Sequence, residues 1–473
     1  MMINHLLAIG IMTGNSLDAA DVVLTEFAAN GIMKDVAFHS LPFPEHLQAD
    51  LRHIRGIITE AHGDMEAACR KDASLAGVIK GYTAFVARAV HELLESAGTR
   101  YQADVIGFHG QTCAHHPPSL AKTREDAYTI QVGDGQLLAN LTGITTIYDF
   151  RSDDLMQGGE GAPLAPVHNR HIAEQLREGG YFPLTFINAG NTSNIAHVTR
   201  DADGNVVTVG WDAGPCNHFP DLLVRAEKGM QCDRDGNIGK RGRIREDLLR
   251  GLFYHAAVTP RRGENFLEKQ PPKSSDPQWY HTPKRLLDQT IPLEDRLRTA
   301  EYFSAYLLFH SLGYTDRNIE LPSRFALFGG GWKNPLVREH FSALLKGNFV
   351  DNPILAEHRE CFEAIHRRLQ GKQLSVADAA EYGFDGQAME ARIFADMARC
   401  RITGEPFTAP HITGGKRAVV CGIIRYPFGS LENATPNLRS WMQTYRVPPS
   451  YDASEHVDSR WSRAAAGWAK WLI

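Results

Sequence analysis

The sequence predicts an α/β fold of two similar domains, residues 1–183 and 184–473, facing each other across a cleft. Three observations predict it. Apolar runs of strand length alternate with longer stretches whose apolar residues recur at helical spacing, the pattern of sheets flanked by helices. The pattern begins again at Leu184 much as it began at Leu6, with three strand-like runs and then a helix. Each half also carries a glycine-bearing turn after its first strand. The repeat is one of architecture, because no sequence identity links the halves.

In the first half, Leu6–Met12, Val22–Phe27 and Val36–His39 read as strands, with a turn at Ala29-Asn30-Gly31. One helix is predicted from Asp64 to Ser96, since Ala76, Val78, Tyr82, Phe85, Val86, Val90 and Leu93 share a face. Strands Asp104–Phe108 and Tyr128–Val132, helix Asp134–Leu141 and strand Ile144–Asp149 follow. In the second half, Leu184–Ile187, Ile195–Val198 and Val206–Trp211 read as strands and Pro220–Glu227 as a helix. Helix Leu293–Leu312, strand Phe325–Phe328, helix Asn334–Leu345 and helix Gln387–Met397 complete it. Residues 258–292, rich in Pro, Lys, Arg, Gln and Ser, read as an exposed excursion. The tail after Gly422 ends in a helix around Trp461, Trp468 and Trp471 whose apolar stripe reads as a docking face.

Composition narrows the function. A chain of 473 residues exceeds one ordinary core. Net charge of −5 and a pI near 6.5 give no broad attraction to nucleic acid or to an anionic membrane. No apolar run approaches the ~20 residues that span a bilayer. The seven cysteines are scattered, with no CxxC, which argues for reduced thiols rather than a disulfide framework. The start, Met1-Met2-Ile3-Asn4-His5, has neither the basic region nor the cleavage site of a signal peptide. A cytoplasmic protein is the expectation.

Four segments carry chemistry. Strand Leu6–Met12 opens into Thr13-Gly14-Asn15-Ser16-Leu17-Asp18. Gly10 and Gly14 permit backbone angles that aim N–H groups at an anion, Ser16 can donate to a phosphate, and Asp18 can hold its divalent cation. The second segment, Asn188-Ala189-Gly190-Asn191-Thr192-Ser193-Asn194, offers donors to a triphosphate; a polar β-turn is the plain alternative. The third, Trp211-Asp212-Ala213-Gly214-Pro215-Cys216-Asn217, places a carboxylate at a strand's C-terminal end, where catalytic groups of open α/β sheets collect. A helix N-cap is the alternative there. The fourth, Gly329-Gly330-Gly331-Trp332-Lys333-Asn334, lets backbone lie flat on a planar ligand such as adenosine, or is a flexible turn. Between the halves, Arg151 stands among Asp149, Asp153 and Asp154, forked donors beside acceptors that suit a sugar or simply a structural ion pair.

Other signals fail. Gly239-Lys240 is followed by Arg241, not by the Ser or Thr of a phosphate loop. His109, Cys113, His115 and His116 share one short loop without a second cluster, which disfavours zinc.

In this order the segments resemble the anhydro-N-acetylmuramic acid kinases and the related levoglucosan kinases. These belong to the sugar kinase, heat-shock chaperone and actin superfamily, whose ATP sits between two actin-like domains. The likeness runs from about Ile9 to Gly422. It is carried by GIMTGNSLDAAD, HGQTCAHHP (109–117), IQVGDGQLLANLTGI (130–144), DFRSDDLMQGGEGAPLAP (149–166), WDAGPCN (211–217), DRDGNIGKRG (233–242), PPKSS (271–275), GGGWKNP (329–335), MEARIFA (389–395) and ITGG (412–415).

The resemblance implies an ATP- and Mg2+-dependent sugar kinase acting on a 1,6-anhydro-sugar in cell-wall recycling, and a homodimer. It assigns Asp212 as catalytic base, Asp18 to the metal, and Arg151, Asp154 and Glu390 to the sugar. The nucleotide side comprises Gly10, Met12, Thr13, Gly14, Asn15, Ser16, His109, Gln111, Asn188, Gly190, Asn191, Gly214, Gly329, Gly330, Gly331 and Asn334. Asp18 and Asp212 then face one triphosphate from opposite sides. The chain departs from the usual pattern: M-S-G-T-S-x-D-G is altered at Thr13, Asn15 and Ala19, N-x-G-G-I-A-N at Asn191, Thr192 and Ser193, D-T-G-P-G-N at Ala213 and Cys216, and K-S-T-G-R-E becomes Lys273-Ser274-Ser275-Asp276-Pro277-Gln278. A divergent member follows, with its sugar left open. A kinase of an ordinary sugar hydroxyl, and a degenerate module that binds nucleotide or sugar without turnover, are the rival readings.

Overall fold

A computed structural model describes residues 5–259, 263–271, 273–275 and 279–446; the aromatic tail helix and Asp276-Pro277-Gln278 lie outside that range. Its strands are β1 (Leu6–Thr13), β2 (Ala19–Phe27), β3 (Met33–Pro42), β4 (Val105–Phe108), β5 (Gln111–His116), β6 (Tyr128–Val132), β7 (Thr145–Tyr148), β8 (Leu184–Ala189), β9 (Thr192–Arg200), β10 (Val206–Pro215), β11 (Arg324–Phe328), β12 (Ser375–Asp378) and β13 (Ile423–Arg425). They form two mixed sheets flanked by helices and a separate β5–β6 hairpin. The chain divides into two compact units. One takes residues up to His168 and from Ala388 onward, the other Asn169–Gln387, so the breaks fall at 168/169 and 387/388 rather than at 183/184.

In the first unit the sheet order is β13-β7-β4-β1-β2-β3. β1, β2 and β3 are antiparallel, β1, β4 and β7 are parallel, and β13 closes the edge antiparallel to β7. Alternation along β1 sends Ile9 and Ile11 to one face, into a core with Leu51, Ile54 and Ile58 of helix Glu45–Glu60 and with Ile79, Val86 and Val90 of helix Leu75–Ala97. On the other face, helix Met389–Thr403 crosses Gly10 and Gly107, which are partners in the β1–β4 register. A Cβ on either would come within 1.9 Å of a helix carbonyl, Ala391 O or Phe394 O. Glycine is required here for close packing.

The helix read as continuous from Asp64 to Ser96 is broken. Helix Met65–Lys71 ends at Asp72, whose carbonyl accepts from Leu75 N and whose carboxylate accepts from Ser74 N at 2.8 Å, and helix Leu75–Ala97 starts afresh. Local Asp and Ser hydrogen bonds outcompete the helical ones at this point.

The second unit's sheet runs β10-β9-β8-β11-β12. Again three antiparallel strands lead into a parallel set, so, the edge strand β13 aside, each sheet orders its strands third, second, first, fourth, fifth along the chain. Helix Leu293–Ser311 is buried nearly all round, and Ser311 Oγ accepts from Trp211 Nε1 on β10 at 2.8 Å. The described residues of 258–292 are not a wholly exposed excursion. Phe266, Leu267, Lys273, Trp279, Tyr280 and Leu286 are buried, and these few residues decide the segment's place against its polar average. Among the described residues no helix is long and apolar enough to cross a membrane. No disulfide joins the cysteines.

Candidate active site

In the first unit, β1 and β2 are joined by a five-residue turn, residues 14–18. Leu17 N donates to Gly14 O at 3.2 Å, and Gln111 Nε2 donates to the same carbonyl at 3.3 Å. The left-handed residue is Leu17, with φ 59°, and neither Gly10 nor Gly14 lies in that region. Leu17 holds the strained angle because its side chain is fully buried. Burial of that leucine turns Asn15, Ser16 and Asp18 outward, all exposed. Ser16 Oγ donates to Asp18 Oδ1 at 2.5 Å, leaving Oδ2 without a partner among the described residues. Such a carboxylate suits Mg2+, which takes one or two carboxylates and keeps waters and phosphate oxygens for the rest.

The structure gives two other residues of this loop different work. Gly10 lies in mid-strand under helix Met389–Thr403, as described, and not in the loop. Thr13 is buried, its Oγ1 bonded to Tyr82 OH at 2.8 Å and to Gly110 O at 3.3 Å, so its hydroxyl points into the core. Met12 is half-buried on β1.

Arg151 follows β7. Its Nε and Nη2 approach His109 Nε2 at 3.2 and 3.0 Å, and Nη1 donates to Gly161 O at 2.8 Å. Burial, then the Arg151 charge, hold His109 well below its ordinary pKa, so the ring is a neutral acceptor packed at a tilt against Phe394. His109 thus positions the guanidinium. Asp154 is fully enclosed, accepting from Gly161 N at 2.8 Å and Thr413 Oγ1 at 2.7 Å. It shapes the loop that supplies the carbonyl gripping Arg151. Glu390 is half-buried in the first turn of helix Met389–Thr403, where a carboxylate complements the helix dipole.

In the second unit the β8–β9 turn has only two residues, Gly190 and Asn191. Gly190 O and Asn191 O accept from Asn217 N at 3.1 Å and Cys216 N at 3.0 Å, pinning the turn to the end of β10. Neither turn residue is left-handed. β10 bulges between Asp212 and Gly214. Gly214 has φ 136°, and a Cβ there would meet Leu267 Cδ2 at 2.5 Å, so this glycine answers to the bulge and the core.

The bulge presents Asp212 to residues 273–275. Asp212 Oδ2 accepts from Ser275 N at 2.8 Å, Ser274 Oγ at 3.2 Å and Ser275 Oγ at 3.3 Å, while Asp212 N donates to Lys273 O at 3.1 Å. Oδ1 has no partner among the described residues. Asp212 therefore caps no helix; its carboxylate is held by one oxygen and open at the other. Burial raises its pKa against the lowering effect of those hydrogen bonds and of Lys273. Lys273 is itself buried over the Phe266 and Tyr314 rings, and desolvation pushes its ammonium down to about 7.

The glycine triplet divides. A Cβ at Gly329 (φ 94°) would meet Asn188 Oδ1 at 2.3 Å, and one at Gly331 would meet Asn217 Oδ1 at 2.4 Å. Both are needed for packing against neighbours. Gly330 is exposed and has open space. Asn334 caps helix Pro335–Leu345, accepting from Leu336 N at 3.0 Å, while its Nδ2 donates to Glu301 Oε1 at 2.7 Å. Asn188 is buried on β8.

The sequence reading missed the grip of Ser274, Ser275, Lys273 and Tyr280 around Asp212. The PPKSS segment was visible, but nothing local shows that it pairs with a residue some sixty positions earlier.

The family model described as "Anhydro-N-acetylmuramic acid kinase" matches residues 6–353 and 352–427. The anhydro-N-acetylmuramic acid kinase of Rhizobium etli is 30% identical over 427 residues, 89% of this chain and 98% of that protein. That of Methylorubrum populi is 30% identical over 428 residues, 89% and 99%. That of Brucella suis is 29% identical over 422 residues, 88% and 97%. A solved ROK family glucokinase from Streptomyces griseus, in complex with glucose and AMPPNP, superposes at a TM-score of 0.32 with 12% identity, over 83% of this chain and 99% of that one, too slight an overlap to add weight. With a family model covering nearly all of its described length and relatives matched almost end to end, the chain belongs to the anhydro-N-acetylmuramic acid kinase family.

Proposed function

We propose that this chain is an ATP-dependent kinase that opens the bridge of a 1,6-anhydro-sugar of the anhydro-N-acetylmuramic acid type and phosphorylates the released oxygen, giving the sugar 6-phosphate. The observation that supports it most is Asp212, anchored through Oδ2, open at Oδ1, and raised in pKa by burial. A general base is most effective when its pKa is drawn towards the working pH and its orientation is fixed.

A 1,6-anhydro-sugar has no free 6-hydroxyl, because that oxygen bridges to the anomeric carbon. Asp212 Oδ1 takes a proton from water as the water oxygen bonds to the anomeric carbon. The bond from that carbon to the bridging oxygen breaks, and the freed oxygen attacks the γ-phosphorus of ATP, releasing ADP. The proton stays on Asp212 until it is lost to solvent. Arg151, braced by His109 and Gly161, and Glu390 bind the sugar in this reading. Gly14, Asn15, Ser16, Gly190, Asn191 and Gly330 serve the phosphates and the nucleotide. Asp18 would hold Mg2+, which supplies charge neutralisation at the phosphates.

Reaction in heavy-oxygen water tests it. Label at the anomeric hydroxyl of the product is the expected result, and product without label would exclude bridge hydrolysis. Cysteines that form no disulfide fit a reducing compartment, and we place the enzyme in the cytoplasm. We also propose a homodimer, which light scattering checks.

A further inference from the structure

We propose that Thr192 and Tyr280, acting through Ser275, are positioning residues that fix the Asp212 carboxylate and leave Oδ1 as its proton-accepting oxygen. The inference rests on Asp212 being the base.

A line of hydroxyls runs from the β8–β9 turn to that carboxylate. Thr192 Oγ1 lies 2.9 Å from Tyr280 OH, Tyr280 OH lies 2.8 Å from Ser275 Oγ, and Ser275 Oγ lies 3.3 Å from Asp212 Oδ2. Each hydroxyl has one proton, and a carboxylate can only accept. Ser275 must therefore donate to Asp212, Tyr280 to Ser275, and Thr192 to Tyr280. The chain has one polarity, with every donor pointing to Oδ2.

The line is buried where it matters: Tyr280 is 8% exposed, and its ring meets His218 edge-on. Thr192 begins β9, beside the turn pinned by Cys216 and Asn217. Aligned donors polarise one another, so cutting the line far from Asp212 weakens the bond that reaches it. Among the described residues, the charged group that acts on the Asp212 carboxylate is Lys273, which the variants below leave untouched.

The test is kcat and its pH profile in purified full-length variants, with Tm as a check on folding. The sugar is whichever of 1,6-anhydro-N-acetylmuramic acid and levoglucosan the wild type turns over. Tyr280→Phe is expected to lower kcat about tenfold, with KM for sugar and ATP within about twofold. Removing donors to the ionised form raises the base's pKa, so the acid limb of the profile should move to higher pH. Thr192→Val, at a half-buried site, should move both readouts the same way by less, and Thr192→Ser should restore them. The double variant should match Tyr280→Phe alone, because the line is already cut.

Unchanged kcat and acid limb in both single variants, or strict additivity in the double, would overturn the proposal. Asp212→Asn separates the two levels. If it stays active, or if the wild type turns over neither sugar, the base reading fails and takes this inference with it. If it is inactive while Tyr280→Phe behaves as wild type, the positioning role alone fails.

Discussion

The two units order their five principal strands alike, yet their first hairpins are built in opposite ways. In the first unit the turn is long, its strained residue Leu17 is buried, and its carboxylate, Asp18, is exposed and, among the described residues, tied only to Ser16. In the second unit the turn has two residues, is pinned to the end of β10, and carries no carboxylate. The acid of that unit has moved to the bulge of β10, where three donors hold one of its oxygens. One frame therefore presents two kinds of carboxylate. A ligand to a labile, hydrated cation can stand in solvent on a mobile side chain. A base that must meet a water held against a carbon cannot, because small misplacements are costly in rate.

The contrast breaks most sharply at the two acids. Asp212→Asn should lower kcat by ~10²–10⁴, the usual range for losing a general base, and added magnesium should not restore it. Asp18→Asn should instead raise the KM for magnesium–ATP and recover partly as magnesium is increased. ADP release measured across a magnesium series distinguishes them. If both variants responded to magnesium alike, the division of labour between the hairpins would be wrong.

Glycines give the next largest effect. Gly10→Ala forces a methyl into the Ala391 carbonyl and should destabilise by on the order of 1–3 kcal/mol or more, as overpacking does. Gly330→Ala meets open space and should leave Tm unchanged. A Gly10→Ala variant with wild-type Tm and a raised KM for ATP would return Gly10 to the phosphate loop.

A third test concerns Glu301, which accepts from Asn334. Burial, reinforced by Asp233, pushes Glu301 up to about 8 in the fold, from about 4.5 when unfolded. The folded state binds the extra proton between those values, so this group's stabilisation is complete below about 4.5 and is lost as pH rises through about 8. Glu301→Gln mimics the protonated acid and should flatten the fall in Tm between pH 5 and 8. A slope unchanged from wild type would locate the titration elsewhere.

Much of this frame was legible in the sequence. Strands β1, β2, β8, β9 and β11 announce themselves by apolar runs, and the acids Asp18 and Asp212 by their place after strands. Helix Glu45–Glu60 was not read, although Leu47, Leu51, Ile54 and Ile58 mark its face among polar neighbours. Strand β12 and the hairpin strand β5 are short and half polar, so no periodicity distinguishes them from loop. The larger losses are long-range. That Gly10 faces a helix nearly four hundred residues later, that Asp154 closes a loop through Gly161 and Thr413, and that Lys273–Ser275 grips Asp212 are facts of tertiary pairing. A local window cannot show them, since glycine, aspartate and serine look the same in a turn, a cap or a site.

Asn334 gives the smallest and most discriminating test. Its side chain caps helix Pro335–Leu345 and donates to Glu301, which accounts for an asparagine without any ligand. Asn334→Ala should lower stability by about 1 kcal/mol, the usual cost of a lost N-cap. Asn334→Ser keeps a cap oxygen while removing the amide, so it should recover most of that stability. If the residue only caps, the KM for ATP stays at the wild-type value in both variants. If instead it binds the nucleotide, Asn334→Ser keeps its Tm and still loses affinity, and that split between Tm and KM would make the second unit's glycine loop a ligand contact and not just a packed turn.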